Sequence, residues 1–204
     1  MGYFYSLKQK LGVSKNQSNK DSESYLALTL TPETIIACAW QFADEKVEAK
    51  GTFSKHFSNT QNLIHEAAFA IDKAAESASS DVEKVVFGLS ANWFDGENLK
   101  GESSKILNSL SRDLDLSAQA YVSLATAVNH FIKMEEGVTP NAIILGVFED
   151  FCEAHLVQNN KILSTEKTSA KPEVGVIVDL IKKLKEKHQQ LPARLVIFGK
   201  PQEN

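Results

Sequence analysis

Three acidic residues, placed in two turns, are the side chains of this chain that could bind a metal ion or orient a phosphate group. Glu33 follows Pro32 in one predicted turn, and Glu149 and Asp150 form the other. If the two turns met across a cleft, their carboxylates could bind a divalent cation. Acidic residues in turns are more commonly exposed and solvated, and the sequence favours this second interpretation.

Both turns belong to a unit of the sequence that occurs twice. Residues 25–55 predict three short strands joined by tight turns, and residues 141–165 open the same series of elements. In each copy the hairpins are followed by a helix with one apolar face and then by an apolar strand, 85–89 in the first copy and 194–199 in the second. The duplication predicts an α/β fold of two related lobes.

The repeat also predicts the domain boundaries. Residues 1–24 are expected to form an amphipathic N-terminal segment and a flexible linker, residues 25–137 the first lobe, and residues 138–204 the start of the second lobe. Compared with the first lobe, the second lacks its last helices and a strand. We therefore expect an incomplete, truncated second lobe.

Composition excludes several classes of function. The net charge of −4 over 204 residues argues against a nucleic-acid partner, because such binding depends on clusters of Lys and Arg. The sequence has no apolar run of eighteen or more residues that would predict a membrane span. Cys38 and Cys152 show no Cys or His spacing typical of a metal site, so no metal is predicted. A reduced, cytoplasmic compartment fits these features best.

The N-terminal segment has an amphipathic pattern. Tyr3, Phe4, Leu7 and Leu11 share one face of a short predicted helix, and lysines occupy the other side. The favoured interpretation is an arm that packs on its own domain or frays. The alternative is a peripheral contact with a partner or with an anionic membrane at its inner face.

Two aromatic residues form a candidate partner surface in the first lobe. Trp93 and Phe94 precede the predicted turn at Asp95 and Gly96. Exposed aromatic residues of this kind are common at protein–protein contacts. This pair is therefore a candidate contact for a partner, provided that it is exposed.

The order of elements resembles that of the actin-like ATPase superfamily over residues 25–199. The resemblance is to the branch that contains PilM and FtsA. It implies two ribonuclease H-like lobes, each with a mixed sheet that begins with three hairpin-connected strands and is flanked by helices. It also implies phosphates bound between the first hairpins of the two lobes.

The family's phosphate-binding pattern is degenerate in this chain. The first hairpin of the family has the form h-G-h-D-h-G-S-S-x-h-K, and here Thr29 stands at the aspartate and Thr31 at the second glycine. In the second hairpin Gly146 stands at the aspartate and Phe148 at the glycine. The resemblance assigns seven degenerate nucleotide-binding positions, which are Thr29, Thr31, Thr34, Gly146, Glu149, Gly199 and Lys200.

These replacements predict that the chain does not transfer phosphate. Such transfer needs magnesium held by carboxylates and backbone donors close to the phosphates, and proline has no N–H to donate. We therefore expect a non-catalytic scaffold, similar to PilM or FtsA, that docks a protein partner at a membrane-associated assembly such as a type IV pilus or the division machinery. The alternative is a divergent ATPase or small-molecule kinase that binds ATP and magnesium through Glu33, Glu149 or Asp150.

Overall fold

Over the residues that the structure describes, the chain forms two mixed sheets connected by a helix, and one small two-stranded sheet. The computed structural model describes residues 23–43, 46–57 and 62–199. In chain order the first lobe contains β1 (Ser24–Leu30), β2 (Thr34–Ala43), β3 (Lys46–His56), α1 (Leu63–Ala78), β4 (Lys84–Leu89), a 3₁₀ turn (Ala91–Trp93), β5 (Phe94–Asp95), β6 (Asn98–Leu99), α2 (Gly101–Asp113) and β7 (Ser117–Ser123). After α3 (Leu124–Glu136), the second lobe contains β8 (Ala142–Val147), β9 (Cys152–Gln158), β10 (Lys161–Thr168), α4 (Val174–Lys187) and β11 (Leu195–Gly199).

Strand order confirms the predicted duplication. The first sheet has the order β3-β2-β1-β4-β7, and the second has the order β10-β9-β8-β11. In both sheets the first three strands pair as antiparallel hairpins, and the fourth strand pairs in parallel with the first. Strands β8 to β11 therefore repeat β1 to β4 in order and direction, as expected for ribonuclease H-like lobes.

Strand alternation divides the first sheet into two different faces. Leu26, Leu28 and Leu30 of β1 are fully buried on the face covered by α1 and α2. The buried side of α1 is built largely from small residues such as Ala67 and Ala74, so the helix lies close to the strands. This close approach fixes the position of β2 and of the turn that precedes it.

The second sheet is packed on both faces. On one face Ile143 and Leu145 of β8 contact Leu180 and Leu184 of α4. On the other face Ile144 and Val157 form a core with Ala125 and Ile132 of α3, the helix that follows the last strand of the first lobe. Helix α3 therefore connects the lobes by packing as well as by sequence. No described helix is long and apolar enough to cross a bilayer.

Substitution of Gly51 tests the close approach of β3 to α1. A Cβ atom at this position would overlap the carbonyl oxygen of Ala74 and lie 2.7 Å from the nitrogen of Ala78. We expect Gly51→Ala to lower the free energy of unfolding by about 1–3 kcal/mol, the usual cost of overpacking. Urea unfolding measures this change.

The matched control is Gly175→Ala in α4, where a Cβ atom would meet nothing within 4 Å. Because alanine favours a helix more than glycine does, the stability of the Gly175→Ala variant should be unchanged or higher. Equal effects of the two substitutions would contradict the packing described for β3.

Candidate functional site

The first hairpin turn uses its own backbone donors. The hydroxyl oxygen of Thr31 accepts the N–H of Thr34 at 2.8 Å and that of Glu33 at 3.3 Å, while the N–H of Thr31 donates to the carbonyl of Thr34 at 3.0 Å. Pro32 has no N–H. Each N–H of residues 31–34 is thus absent or already bonded within the turn, and none is left for a phosphate oxygen.

The position that the sequence resemblance assigns to the first aspartate is filled by a small hydroxyl side chain. Thr29 lies in β1 beside Gly88 of β4. A Cβ atom at Gly88 would be 3.0 Å from the Thr29 hydroxyl oxygen and 3.2 Å from the side chain of Leu124, the first residue of α3. The carboxyl edge of these strands is therefore closely packed and carries no carboxylate at this point.

The two hairpin turns do meet, through Glu33. Its two carboxylate oxygens accept the backbone N–H of Glu149 at 2.7 and 2.6 Å. Only 7% of Glu33 is exposed, whereas Glu149 and Asp150 are exposed to solvent. The expectation of solvated turn acids is thus wrong for Glu33, because a hydrogen bond between its charge and a backbone donor compensates for burial.

This contact has the chemistry of an anion site. Backbone N–H groups in turns bind phosphate or carboxylate oxygens alike. In the second hairpin the N–H of Phe148 already donates to the carbonyl of Phe151 at 2.9 Å, and the N–H of Glu149 donates to Glu33. A carboxylate from the first lobe therefore occupies a backbone donor of the second turn.

Gly146, at the second aspartate position, has no space for a side chain. Its Cβ atom would lie 2.6 Å from the Cγ atom of Glu153 and 2.8 Å from the ring of Phe198. Glu153 is paired with Gly146 across β8 and β9, so its side chain lies over the glycine. The acidic group at this place thus comes from the neighbouring strand.

Glu153 makes a second contact between the lobes. It is fully buried, and one of its carboxylate oxygens accepts the N–H of Ala91, in the 3₁₀ turn of the first lobe, at 2.5 Å. The other oxygen lies 3.3 Å from Nε2 of His155, whose Nδ1 is 2.9 Å from the hydroxyl of Thr165. Among the described residues neither that carboxylate oxygen nor Nε2 of His155 has a hydrogen-bond partner, so the hydrogen bond that holds Glu153 is the one from the Ala91 N–H of the opposite lobe.

Lys167 completes this contact from the adjacent strand β10. Its ammonium group donates to the carbonyls of Ala91 and Phe94 at 2.8 and 2.7 Å. Burial lowers the pKa of Lys167. The charge of Lys100 lowers this pKa further, whereas the charge of Asp95 raises it. The second lobe therefore holds the 91–94 segment through both its N–H and its carbonyl groups.

The sequence did not identify Glu153, His155 or Lys167 as site residues. Their signal was available, since Glu153 and His155 interrupt a strand of otherwise apolar residues, and polar residues buried in such a strand need partners. The partner of Glu153 is a backbone group in another lobe, however, and no side-chain pattern predicts it.

The structure contradicts the prediction that Trp93 and Phe94 form an exposed partner surface. Trp93 and Phe94 are only 9% and 8% exposed, because the 3₁₀ turn directs both rings into the core of the first lobe. Phe94 also lies 6.3 Å from the ring of Tyr121. These residues hold the 91–94 segment in place and are not available to a partner.

The remaining predicted positions lie at the margins of the site. Thr34 begins β2 and Gly199 ends β11, where a positive φ of 120° and the adjacent carbonyl of Val147 require glycine. Among the described residues no group of three His, Cys, Asp or Glu side chains could hold a metal ion. Lys200, Tyr3, Phe4 and Leu7 lie outside the described residues.

No protein-family model and no curated protein matches this chain. Solved structures do match its fold. The PilM–PilN type IV pilus biogenesis complex is 10% identical with a TM-score of 0.64 and covers 86% of this chain and 81% of that chain. A Bacteroides thetaiotaomicron protein with an actin-like ATPase fold and unknown function is 10% identical with a TM-score of 0.59, covering 89% and 84%.

The ethanolamine utilization protein EutJ from Carboxydothermus hydrogenoformans is 12% identical with a TM-score of 0.56, and this chain spans 66% of its length. Similarity at such low identity establishes the fold alone. The chain therefore has the actin-like ATPase fold that its sequence resembles.

The contact between Glu33 and Glu149 can be tested by substitution. In Glu33→Gln a neutral amide replaces the carboxylate, so the charge-assisted bonds to the Glu149 N–H weaken by about 1–3 kcal/mol. Hydrogen exchange of the Glu149 amide should accelerate roughly tenfold or more, since about 1.4 kcal/mol corresponds to a factor of ten.

Asp150→Asn is the matched control, because it removes the same charge from an exposed position in the opposite turn. Exchange of the Glu149 amide should not change in this variant. If both variants exchange at the wild-type rate, Glu33 does not protect this amide.

Proposed function

We propose that this chain, with its actin-like ATPase fold, is a non-catalytic scaffold of the PilM type that docks a protein partner at a membrane-associated assembly such as a type IV pilus or the division machinery. One observation carries the non-catalytic part of this proposal. The carboxylate of Glu33 occupies the backbone N–H of Glu149, so this donor of the second hairpin turn is not available to a phosphate.

The rest of the site supports the same conclusion. Magnesium-dependent phosphoryl transfer requires free carboxylates for the metal and free donors for the phosphates. Here the two carboxylates buried between the lobes, Glu33 and Glu153, already accept backbone N–H groups of the opposite lobe. A phosphate that used the Glu149 N–H would first have to displace the Glu33 carboxylate.

Support for a protein partner comes from similarity of fold. One solved structure of similar fold is a PilM–PilN type IV pilus biogenesis complex. A lobe arrangement fixed by internal contacts presents a constant surface, which suits a scaffold. The proposal puts the protein at the cytoplasmic face of the membrane, where its two free cysteines would remain reduced.

The alternative function is a divergent ATPase or small-molecule kinase that uses Glu33, Glu149 or Asp150 to bind magnesium. Glu149 and Asp150 are exposed and therefore sterically free to do so. This alternative requires the Glu33 carboxylate to leave the Glu149 amide when ATP binds. It therefore predicts that the chain binds ATP together with magnesium.

Titration with ATP and magnesium separates the two functions. If the chain is a non-catalytic scaffold, addition of ATP and magnesium should cause no heat of binding, no thermal shift and no release of phosphate. A ligand at a hundred times its Kd would stabilise the fold by about 2.7 kcal/mol, so a missing shift is informative.

Magnesium-dependent phosphate release that is lost in Glu149→Ala would establish the alternative. Glu97→Ala, which alters an exposed acid in the turn between β5 and β6, serves as the control and should leave any such activity unchanged.

A further inference from the structure

A cavity opens between helices α1 and α2 of the first lobe, beside the first hairpin turn. Its volume is about 570 Å³. Small-molecule sites in proteins usually measure about 300–1,000 Å³. Ile64 of α1, Ile106 of α2 and Pro32 of the turn are among the residues that line it. Glu33 and Lys167 are not among them, so the cavity is distinct from the carboxylate and lysine contacts between the lobes.

Most of the cavity wall is apolar. Phe57, Leu63 and Trp93 line it and belong to the buried core of the first lobe. Ile64 and Ile106 also line it, and they are 38% and 41% exposed. Covering apolar side chains that are exposed to this extent is favourable, because apolar surface leaves water. The cavity therefore favours a ligand with an apolar body.

The cavity also holds hydrogen-bond donors that the described residues leave unused. Ser103 is only 7% exposed, and its hydroxyl forms no side-chain hydrogen bond in the described part of the chain. Polar side chains buried to this extent usually have a partner. Asn92 accepts the hydroxyl of Ser90 at 2.5 Å with its side-chain oxygen, which leaves its NH₂ group to donate. Both groups can donate to an acceptor in the cavity.

One charged residue, Lys105, is found among the described residues that line the cavity. Its ammonium group forms no ion pair with any other described residue. Since the same wall includes no Asp or Glu, its charge is complementary to a ligand with a single negative charge. A carboxylate has that charge, and its two oxygens accept several hydrogen bonds.

A nucleotide matches this wall poorly. A nucleoside triphosphate carries several negative charges, whereas the described part of the wall offers one cation. The N–H groups of residues 31–34 are absent or already bonded within the hairpin turn, so they add no donor for a phosphate. The donors and the apolar wall together favour a small acid over a polyphosphate.

We propose that the cavity between α1 and α2 binds a small monocarboxylate with an apolar body, of the size of a medium-chain fatty acid. The carboxylate accepts hydrogen bonds from Ser103 and Asn92 and pairs with Lys105, while the apolar body covers Ile64 and Ile106. This inference is independent of the proposed scaffold function, because the cavity lies within the first lobe.

Titration of the full chain with sodium decanoate tests this proposal. Trp93 lines the cavity, so the nuclear magnetic resonance signal of its indole N–H should shift as decanoate binds. Trp40 packs in a separate cluster with Tyr25, and its indole signal is an internal reference that should not shift. Decylamine has the same chain with the opposite charge and should bind roughly tenfold more weakly or less.

Two substitutions test the polar part of the site. Ser103→Ala should weaken decanoate binding roughly tenfold, because a hydrogen bond to a charged group is lost. Lys105→Gln should weaken it about twofold to fivefold, as expected for an exposed ion pair. The matched controls are Ser104→Ala, the next residue of α2, and Lys185→Gln, an exposed position in the second lobe. Both should bind decanoate like the wild type.

Three results would overturn the proposal. The first is a Trp93 signal that does not shift at millimolar decanoate. The second is decylamine that binds as tightly as decanoate, since charge would then not select the ligand. The third is wild-type affinity for decanoate in both Ser103→Ala and Lys105→Gln. Binding of ATP and magnesium without displacement of decanoate would count against the scaffold function alone and leave this site intact.

Discussion

The arrangement of the two lobes depends on burial of two carboxylates, each of which needs a hydrogen-bond donor from the opposite lobe. Glu33 of the first lobe accepts the N–H of Glu149, and Glu153 of the second accepts the N–H of Ala91. A buried carboxylate without such partners would be strongly destabilising, so separation of the lobes would have to expose both groups to water. The contacts run in opposite directions between the lobes, and together they hold both hairpin turns at the carboxyl ends of the strands.

The same contacts explain how groups of the protein itself satisfy the backbone donors of the hairpin turns. In this chain the hydroxyl of Thr31 and the carboxylate of Glu33 satisfy them within the protein. Lys167 supplies the positive charge between the lobes and bonds to the carbonyls of Ala91 and Phe94. Helix α3 adds an apolar connection by packing on the second sheet.

The sequence predicted the fold well because alternation in strands and periodicity in helices are local patterns, and because both patterns occur twice. It predicted the site less well for a physical reason. The role of Glu33 depends on an amide that is 116 residues away, and Glu153 lies over Gly146 only because two strands pair in one register. Trp93 and Phe94 were expected at the surface because a turn follows them, but a short 3₁₀ turn directs both rings inward. Pairing between distant strands and hydrogen bonds to distant backbone groups depend little on residue type, so sequence patterns predict them poorly.

Two internal carboxylates, Glu33 and Glu153, hold the lobes together through backbone donors. Double electron–electron resonance between spin labels at Ser77 and Lys185, exposed positions in the first and second lobes, measures this most directly. The account predicts one narrow distance distribution that ATP and magnesium leave unchanged, and a broader one when Glu33 and Glu153 are both replaced by alanine. A wild-type distribution that is broad without nucleotide and narrows or shifts when ATP and magnesium are added would contradict it.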